Sequence, residues 1–431
     1  MTGSDGLRLH RLLYYASMLL LAELVVRPVA GFTISDLLFL AAVVLVVLQV
    51  RVARLEGVGS LPPGLVYGVL LFAVGGGFAS LASQELLPSL AVVARFVYLT
   101  LVWFWLGAMV LRTAGHVMVA TLTWSLSVAV SGVAAITQFF VHGLAPVQFS
   151  GRLVGLTGHP NDLGGLSSIA LVPVVMLSTR PGVRLSVRLL TMLMVACTVA
   201  GIILSGSVGG VLASAVALCW FLPALLRTGH LAQVRKRYLV AGLMVAAAAG
   251  SWLLSQPASS AYSPISRIPA VVGNVNPQEA TGLARLDVDR QAAAAIVEQP
   301  LLGNGLDDDS AFQQAGGLVH NMLLGAWFGG GLPAMVGVLM VLGSVALVAR
   351  SVTRDAGSNQ ERVMALSLTA SLLSFVVFGM TAPILYVRYG WVPGALLIAL
   401  RAAQQRARAS VDGVASPRNV LRSERSSLRS S

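Results

Sequence analysis

The chain has 431 residues, of which 56% are hydrophobic and only 11% are charged, and its mean hydropathy is +0.81. Soluble proteins normally carry about 25% charged residues, so this composition excludes a water-soluble globular protein and predicts an integral membrane protein. The formal net charge of +12 does not indicate nucleic-acid binding. The basic residues lie in short loops between apolar runs and in the C-terminal tail, where they would face anionic lipid headgroups.

A membrane-spanning helix needs about 20 mostly apolar residues. Runs of this kind predict an all-α integral membrane protein of about 12 transmembrane helices. The predicted spans are 12–30, 34–52, 65–86, 90–111, 117–141, 163–177, 187–204, 208–226, 238–254, 321–348, 363–380 and 384–400.

The distribution of basic residues predicts the orientation of these helices, because cytoplasmic loops carry an excess of Lys and Arg. With both termini in the cytoplasm, 22 of the 29 basic residues fall in cytoplasmic loops or in the tail. Removing any one helix from the prediction would move every later loop to the opposite side of the membrane, and the excess of basic residues in the cytoplasmic loops would be lost. The exceptions, which would face outward, are Arg27, Arg95, Arg152, Arg267, Arg285, Arg290 and Arg388.

Two predicted outer segments, 142–162 and 255–320, are longer than a hairpin requires. Within the second, 281–299 are predicted to form an amphipathic helix, because the alanines at 292–295 favour helix and Pro300 ends it. The whole chain is thus divided into four parts. These are the first five transmembrane helices (1–149), a core with the extracytoplasmic loop 255–320 (150–348), the last two helices (349–400), and a disordered basic cytoplasmic tail (401–431).

Several outward-facing arginines around one aqueous cavity would form a phosphate site, because guanidinium groups bind phosphate oxygens bidentately and stay charged. Arg152 lies in the glycine-rich segment 151–165, in which Asn161 follows Pro160 at a predicted helix start. Asn161 is a secondary candidate, and His159 is more often structural in such a position. The alternative for Arg152 is an interfacial arginine that reaches lipid headgroups beside an ordinary capped turn.

Arg285 opens the predicted loop helix, and Arg290 on the same helix is a secondary candidate. The alternative is a surface ion pair between Arg285 and Asp289, four residues later. His320 stands where the outer loop re-enters the membrane, and a histidine there can exchange a proton near neutral pH. Its alternative is an interfacial histidine that is hydrogen-bonded to the backbone.

Arg95 lies within the fourth predicted span and is a third candidate for the phosphate site, because a charge inside a membrane helix is a functional candidate by default. The alternative is an arginine that reaches outward to the interface. Arg388, near the outer start of the last span, is a secondary candidate of the same kind. The acidic run 307–309 could hold a divalent cation, but such runs are more often solvated loops, and no metal or other cofactor is expected.

Three stretches, taken in order, carry a family resemblance. The chain resembles the O-antigen ligase and O-antigen polymerase superfamily of membrane glycosyltransferases over residues 150–345. The first stretch contains an Arg-x-x-Gly pattern before Pro-Asn, the second an arginine helix before Pro-Leu-x-Gly-x-Gly, and the third a His-Asn before Gly-Leu-Pro. The matching residues are Arg152, Gly155, Pro160 and Asn161, then Arg285, Pro300, Leu301, Gly303 and Gly305, then His320, Asn321, Gly331, Leu332 and Pro333.

The resemblance implies a helical bundle in the bacterial cytoplasmic membrane, with a loop closing an active site on the outer face. Such proteins transfer a glycan from a polyprenyl-diphosphate carrier to a glycan, lipid or cell-wall acceptor, without a metal. By this resemblance Arg152 and Arg285 would bind the diphosphate and His320 would assist the acceptor hydroxyl. The chain departs from the family pattern after Arg285, where Asp289 and Arg290 stand in place of an aromatic residue. Ligase and polymerase activity are equally compatible with the sequence.

A multi-span transporter or a flippase of lipid-linked glycans is the alternative. Transporters place substrates at the membrane midplane between broken helices, and the glycine runs 75–77 and 329–331 are candidate breaks. The polar candidates cluster outside the membrane rather than at its midplane, which favours the transferase. A purely structural or assembly role is a third possibility.

Overall fold

The computed structural model describes residues 3–26, 32–50, 61–141, 151–228 and 281–415, with the single positions 144 and 255. The ninth predicted span, 238–254, and the outward-facing Arg27 and Arg267 lie outside these residues. The described residues form helices joined by turns and loops, without a β-strand. A π-helical turn, Tyr98–Val102, joins the fourth helix to the fifth. The helices are α1 (Gly3–Leu19), α2 (Ile34–Val50), α3 (Pro63–Leu81), α4 (Leu86–Val97), α5 (Trp103–Val110), α6 (Ala114–Phe140), α7 (Pro160–Thr179), α8 (Leu185–Leu204), α9 (Val208–Arg227), α10 (Thr281–Glu298), α11 (Asp308–Ala315), α12 (Met322–Arg354), α13 (Asn359–Gly379) and α14 (Arg388–Ala415).

Eight helices of the described residues are long and apolar enough to cross a membrane, with α4, the π turn and α5 counted as one. The structure therefore confirms an all-α, multi-pass membrane protein. The spanning candidates are α3, α4–α5, α6, α7, α8, α9, α12 and α13. Helix α2 is apolar but shorter, with 17 residues, and the total of twelve spans stays a prediction.

The first helix lies earlier in the sequence than predicted, at Gly3–Leu19 instead of 12–30. After this helix the chain makes a turn, and backbone N–H groups of the turn donate to acceptors outside the helix. The Glu23 carboxylate accepts from the N–H groups of Val25 and Val26, at 2.8 and 2.6 Å. The N–H of Leu24 donates to the carbonyl of Leu156, which ties this turn to the loop before α7.

The last helix begins later than predicted, at Arg388, and continues to Ala415, so residues 401–415 are helical and not disordered. This part of the predicted tail is rich in Ala, Gln and Arg, which all favour helix. It is also held by side-chain contacts with the bundle. Arg406 donates to the carbonyl of Ala108 at 2.6 Å, and Gln404 donates to that of Val352 at 3.1 Å.

The loops lie at the two ends of the helical bundle. We call the end that carries His320 the His320 end, and the end that carries Arg350 the Arg350 end. At the His320 end, the N–H of Leu306 donates to the Ser89 hydroxyl at 2.9 Å. At the Arg350 end, Asn359 donates to the carbonyl of Thr228 at 3.3 Å. Loops that the basic-residue distribution places on one side of the membrane thus contact each other.

Helices α3 and α12 pack closely because glycines face each other along the contact. A Cβ atom built at Gly68 would lie 2.7 Å from the carbonyl oxygen of Gly337, and one at Gly337 would lie 2.5 Å from that of Gly68. Two helical turns further along α3, a Cβ at Gly75 would lie 2.8 Å from the carbonyl oxygen of Gly330. Small residues of this kind let membrane helices approach closely. Helix α3 continues unbroken through its glycine run 75–77.

Helix α12 is broken at Gly331, whose φ of 72° and ψ of −178° are not helical. Two residues later Pro333 has no N–H, so the carbonyl of Gly329 has no helical donor. The N–H of Leu332 also turns away from the carbonyl of Phe328, since it donates to a carbonyl outside the helix. The break therefore frees backbone groups that must find partners elsewhere.

Residues 300–305 provide these partners, and we call their pairing with residues 328–332 the clasp. The two segments lie so close that a Cβ atom at Gly331 would lie 2.1 Å from the carbonyl oxygen of Leu301. One at Gly303 would lie 2.4 Å from the N of Gly331. Glycine is therefore required on both sides. The backbone hydrogen bonds of the clasp are Asn304 N–H to Phe328 O (2.8 Å), Gly305 N–H to Gly329 O (3.0 Å) and Leu332 N–H to Pro300 O (3.0 Å).

We expect Gly337→Ala and Gly77→Ala to change stability in opposite directions. Alanine in a helix is more favourable than glycine by about 0.5–1 kcal/mol, and a Cβ at Gly77 meets nothing within 4 Å. At Gly337 the added methyl would overpack the contact with α3, which typically costs about 1–3 kcal/mol. Thermal unfolding of the two purified variants in one detergent checks this. An equal Tm for both variants would contradict the close packing of α3 and α12.

Candidate active site

Arg152 is held in a fixed position at the His320 end of the bundle. Its Nε donates to the carbonyl of Ser205, between α8 and α9, at 2.8 Å. Its Nη2 donates to the side-chain oxygen of Asn161, in the first turn of α7, at 2.6 Å. Arg152 is half-buried between these partners. The candidate Asn161 therefore orients Arg152.

Gly155 allows a close approach of backbone to backbone. Its φ is +56°, and a Cβ there would lie 2.6 Å from the carbonyl oxygen of Ser131 on α6. The Gln138 side chain, also on α6, donates to the Gly155 carbonyl at 2.9 Å and accepts from its N–H at 3.0 Å. Glycine is thus needed here to seat the loop 151–159 on α6, and Gln138 is a positioning residue that the sequence did not indicate.

His159 and His320 each stand at the start of a membrane helix. His159 caps α7 through its Nδ1, which accepts from the N–H of Asn161 at 3.2 Å. His320 precedes α12, whose cap is Asn321, with a side-chain oxygen that accepts from the N–H groups of Leu323 and Leu324. The N-terminus of a helix carries a partial positive charge, so both helices favour an anion at this end.

Helix α10 forms within the predicted outer loop, which confirms the helix predicted at 281–299. One of its faces packs on the rest of the loop. Ala292 and Ile296 are buried against Ala315 of α11 and against Val319 and Phe328. Through this contact and the clasp, the helix is fixed over the start of α12, and it carries Arg285 and Asp289 in its first half.

The structure brings Arg152, His159, Arg285 and His320 together, and we call these four side chains the site cluster. The pKa of His159 is lowered by partial burial, and then by the charges of Arg152, Arg285 and His320. These residues come from three segments that are distant in the sequence. The other three residues therefore lie close enough to His159 to act on it electrostatically, and Arg285 lies close enough to act on His320 as well.

His320 favours the neutral form. Burial of its ring and the nearby charge of Arg285 lower its pKa, whereas the carbonyl of Leu318 has the smaller opposite effect. Its Nδ1 is buried and has no hydrogen-bond partner among the described residues. A neutral imidazole can accept a proton at neutral pH.

Asp289 belongs beside the site cluster, although the sequence indicated it only as the partner in a surface ion pair. Partial burial raises its pKa, and a backbone hydrogen bond from His320 and the charge of Arg285 oppose the rise. Its position could have been foreseen from spacing, because residues four apart lie on one face of a helix. The hydrogen bond from the His320 backbone to Asp289 could not have been foreseen from the sequence.

The structure does not bring two of the secondary candidates to the cluster. Arg290 forms an exposed pair with Asp287 at 3.4 Å, with 79% and 64% of the two side chains accessible to solvent. Arg388 pairs with Asp36 of α2 at 2.8 Å, where both are mostly buried, and donates to Thr33. Arg388 therefore joins α14 to α2.

Arg95 also lies apart from the cluster, on α4 just before the π turn. It is exposed, and it acts electrostatically on Tyr386 together with Asp308. Neither His159, His320 nor Asp289 has Arg95 among the charges that shift its pKa. A small cavity of about 50 Å³ lies between Asp308, Tyr386 and the neighbours of His320, and it is too small for a glycan.

The acidic run 307–309 has a capping role. Asp307 is buried and accepts from the N–H and the hydroxyl of Ser310, both at 2.8 Å, which starts α11. The pKa of Asp308 is raised by partial burial and by the charges of Asp307 and Asp309. No group of three metal-ligating side chains occurs among the described residues.

A comparison with models of known protein families finds no match, and no curated protein matches the chain. The resemblance to the O-antigen ligase and polymerase superfamily therefore stays a prediction. What the chain does must be inferred from its own residues and their geometry.

We expect His320 to titrate below the ordinary histidine range, and Arg285→Gln to raise its pKa, because the substitution removes a neighbouring positive charge. Arg290→Gln on the same helix is the control, since Arg290 is exposed and paired with Asp287. Titration of ¹⁵N-histidine-labelled protein by NMR checks both, with the signal assigned through His320→Gln. A His320 pKa that Arg285→Gln leaves unchanged would contradict the site cluster.

Proposed function

We propose that the chain is a membrane glycosyltransferase of the O-antigen ligase and polymerase kind. It transfers a glycan from a polyprenyl-diphosphate carrier to an acceptor hydroxyl at the outer face of a bacterial cytoplasmic membrane. The observation that carries the proposal is the site cluster, in which Arg285 acts electrostatically on both His159 and His320, Arg152 acts on His159, and His320 favours its neutral form. This combination supplies anion binding and proton acceptance at one end of a membrane bundle.

We also propose twelve spans with both termini in the cytoplasm. Helix α9 ends beside Asn359 at the Arg350 end, whereas α10 lies at the His320 end. The span predicted at 238–254 would carry the chain from the first end to the second. The excess of basic residues at the Arg350 end makes it the cytoplasmic end. The site cluster then faces outward, where lipid-linked glycans are used.

The arginines of the cluster would act on the leaving group. Breaking the bond between the sugar and the diphosphate develops negative charge on the diphosphate oxygen. Arg152 and Arg285 would stabilise this charge, and the N-termini of α7 and α12 would add to the effect. Because Arg152 is already held by Asn161 and Ser205, little reorganisation is needed as the charge forms.

His320 would act on the acceptor. The acceptor oxygen forms a bond to the anomeric carbon while the bond from that carbon to the diphosphate oxygen breaks. The proton of the acceptor hydroxyl passes to neutral His320, and the polyprenyl diphosphate leaves with the bonding electrons. Direct displacement of this kind inverts the anomeric configuration. The low pKa of His320 keeps it in the form that can accept the proton.

A transporter or flippase is the second candidate, and the break of α12 at Gly331 is the observation in its favour. In a transporter, the carbonyls freed by such a break would coordinate an ion or substrate. Here the carbonyls of Phe328 and Gly329 accept from Asn304 and Gly305 of the chain itself. The other candidate break, 75–77, is a continuous part of α3. Both points favour the transferase.

Deleting the protein from its cells should cause the polyprenyl-diphosphate glycan donor to accumulate. Arg285→Gln and His320→Ala should fail to clear it, with activity lowered by about 10²–10⁴-fold for His320, the usual contribution of a general base. Mass spectrometry of the lipid-linked glycans measures the donor. The matched control is Arg290→Gln, which should clear the donor as the unchanged protein does.

All variants must be present in the membrane at equal abundance for this comparison. Full clearance of the donor by His320→Ala would remove the histidine from the mechanism. Donor accumulation on the inner leaflet alone would identify a flippase and contradict the transferase.

A further inference from the structure

A second feature lies at the opposite end of the bundle from the site cluster. A groove of about 780 Å³ runs between α9, α12 and α13, and almost all of its lining is apolar. Its deeper part is formed by residues such as Trp220, Leu339 and Gly343, and its end by Arg350 and Arg354. The three helices are all long and apolar enough to cross a membrane, so the apolar part of the groove lies at the depth of the hydrocarbon core.

The length of the groove matches one leaflet. Leu339 and Arg350 are eleven residues apart on α12, which is about 16 Å at the helical rise of about 1.5 Å per residue. Half of a hydrocarbon core of about 30 Å is about 15 Å. An acyl chain that lies in the groove would therefore reach the arginines where its headgroup begins.

The arginines at the end of the groove favour an anion. Arg350 is exposed and has no ion pair with any described residue, whereas Arg354 forms an exposed pair with Asp355 at 3.3 Å. Two positive charges four residues apart on a helix repel each other. A phosphate group between them would relieve that repulsion, and Thr353 lines the same place with a hydroxyl that can donate a hydrogen bond.

We propose that this groove is a binding site for one anionic phospholipid, with an acyl chain along α12 and α13 and the phosphate at Arg350 and Arg354. The proposal goes beyond the transferase function. It depends on the helices that span the membrane and not on the chemistry of the site cluster. The apolar length excludes a free phosphate as the occupant, and the arginines distinguish the groove from the rest of the lipid-facing surface.

Gly343 offers a way to fill the groove without disturbing the fold. It lines the groove, and a Cβ there meets nothing within 4 Å. Gly77 on α3 has the same open surroundings but lies outside the groove. In the same way, Arg350→Gln removes a groove charge, and Arg362→Gln removes an exposed charge at the same end of the bundle that does not line the groove.

Native mass spectrometry of the full chain, after equilibration with equal amounts of phosphatidylglycerol and phosphatidylethanolamine, tests the proposal. We expect the unchanged protein to retain one phosphatidylglycerol preferentially, and Gly343→Leu to lose it. Arg350→Gln should lower the preference about fivefold, since a basic residue at an anionic surface contributes about 1 kcal/mol. Gly77→Leu and Arg362→Gln should behave as the unchanged protein does.

Equal retention of both lipids by the unchanged protein would overturn the proposal, as would retention by Gly343→Leu at the level of Gly77→Leu. A dimer that Gly343→Leu dissociates would also overturn it, because a second copy of the chain would then occupy the groove. Circular dichroism and the Tm of each variant confirm that a loss of lipid does not result from unfolding.

Discussion

Inside a membrane every backbone carbonyl needs a partner within the protein, and α12 leaves two carbonyls without helical donors where it breaks at Gly331. The clasp satisfies them with the N–H groups of Asn304 and Gly305. The same contact fixes α10 before the clasp and α11 after it. The outer loop is therefore attached to the bundle by the backbone pairing that the break requires, and the break is not an opening in the membrane domain.

The chemistry of the His320 end follows from this attachment. Helix α10 places Arg285 beside His320, which precedes the broken helix, and near Arg152, which is held between α7 and the end of α8. None of these segments alone brings two arginines and two histidines to one end of the bundle. Joined at one end of the bundle, they place Arg285 where it lowers the pKa of His320, and the opposite end carries basic residues suited to lipid headgroups.

The membrane architecture and most helix positions could be predicted, because a run of about 20 apolar residues has few other stable states. Outward-facing charge also indicated Arg152, Arg285 and His320. Contacts between distant residues could not be foreseen. Asp36 forms an ion pair with Arg388, so Arg388 is no longer a candidate for the site. Gln138 holds the loop that carries Arg152 by hydrogen bonds to the backbone of Gly155. The stretches that suggested a family, Pro-Leu-x-Gly-x-Gly and Gly-Leu-Pro, form the two sides of the clasp, which sequence spacing alone does not reveal.

Reconstitution of the purified protein with a defined polyprenyl-diphosphate oligosaccharide and a hydroxyl acceptor, in liposomes without any other protein, tests the central claim most directly. The proposed transferase activity predicts a new glycosidic bond of inverted configuration and one free polyprenyl diphosphate for each bond formed, in the presence of a metal chelator. Movement of the intact donor between leaflets, without bond formation, would contradict it.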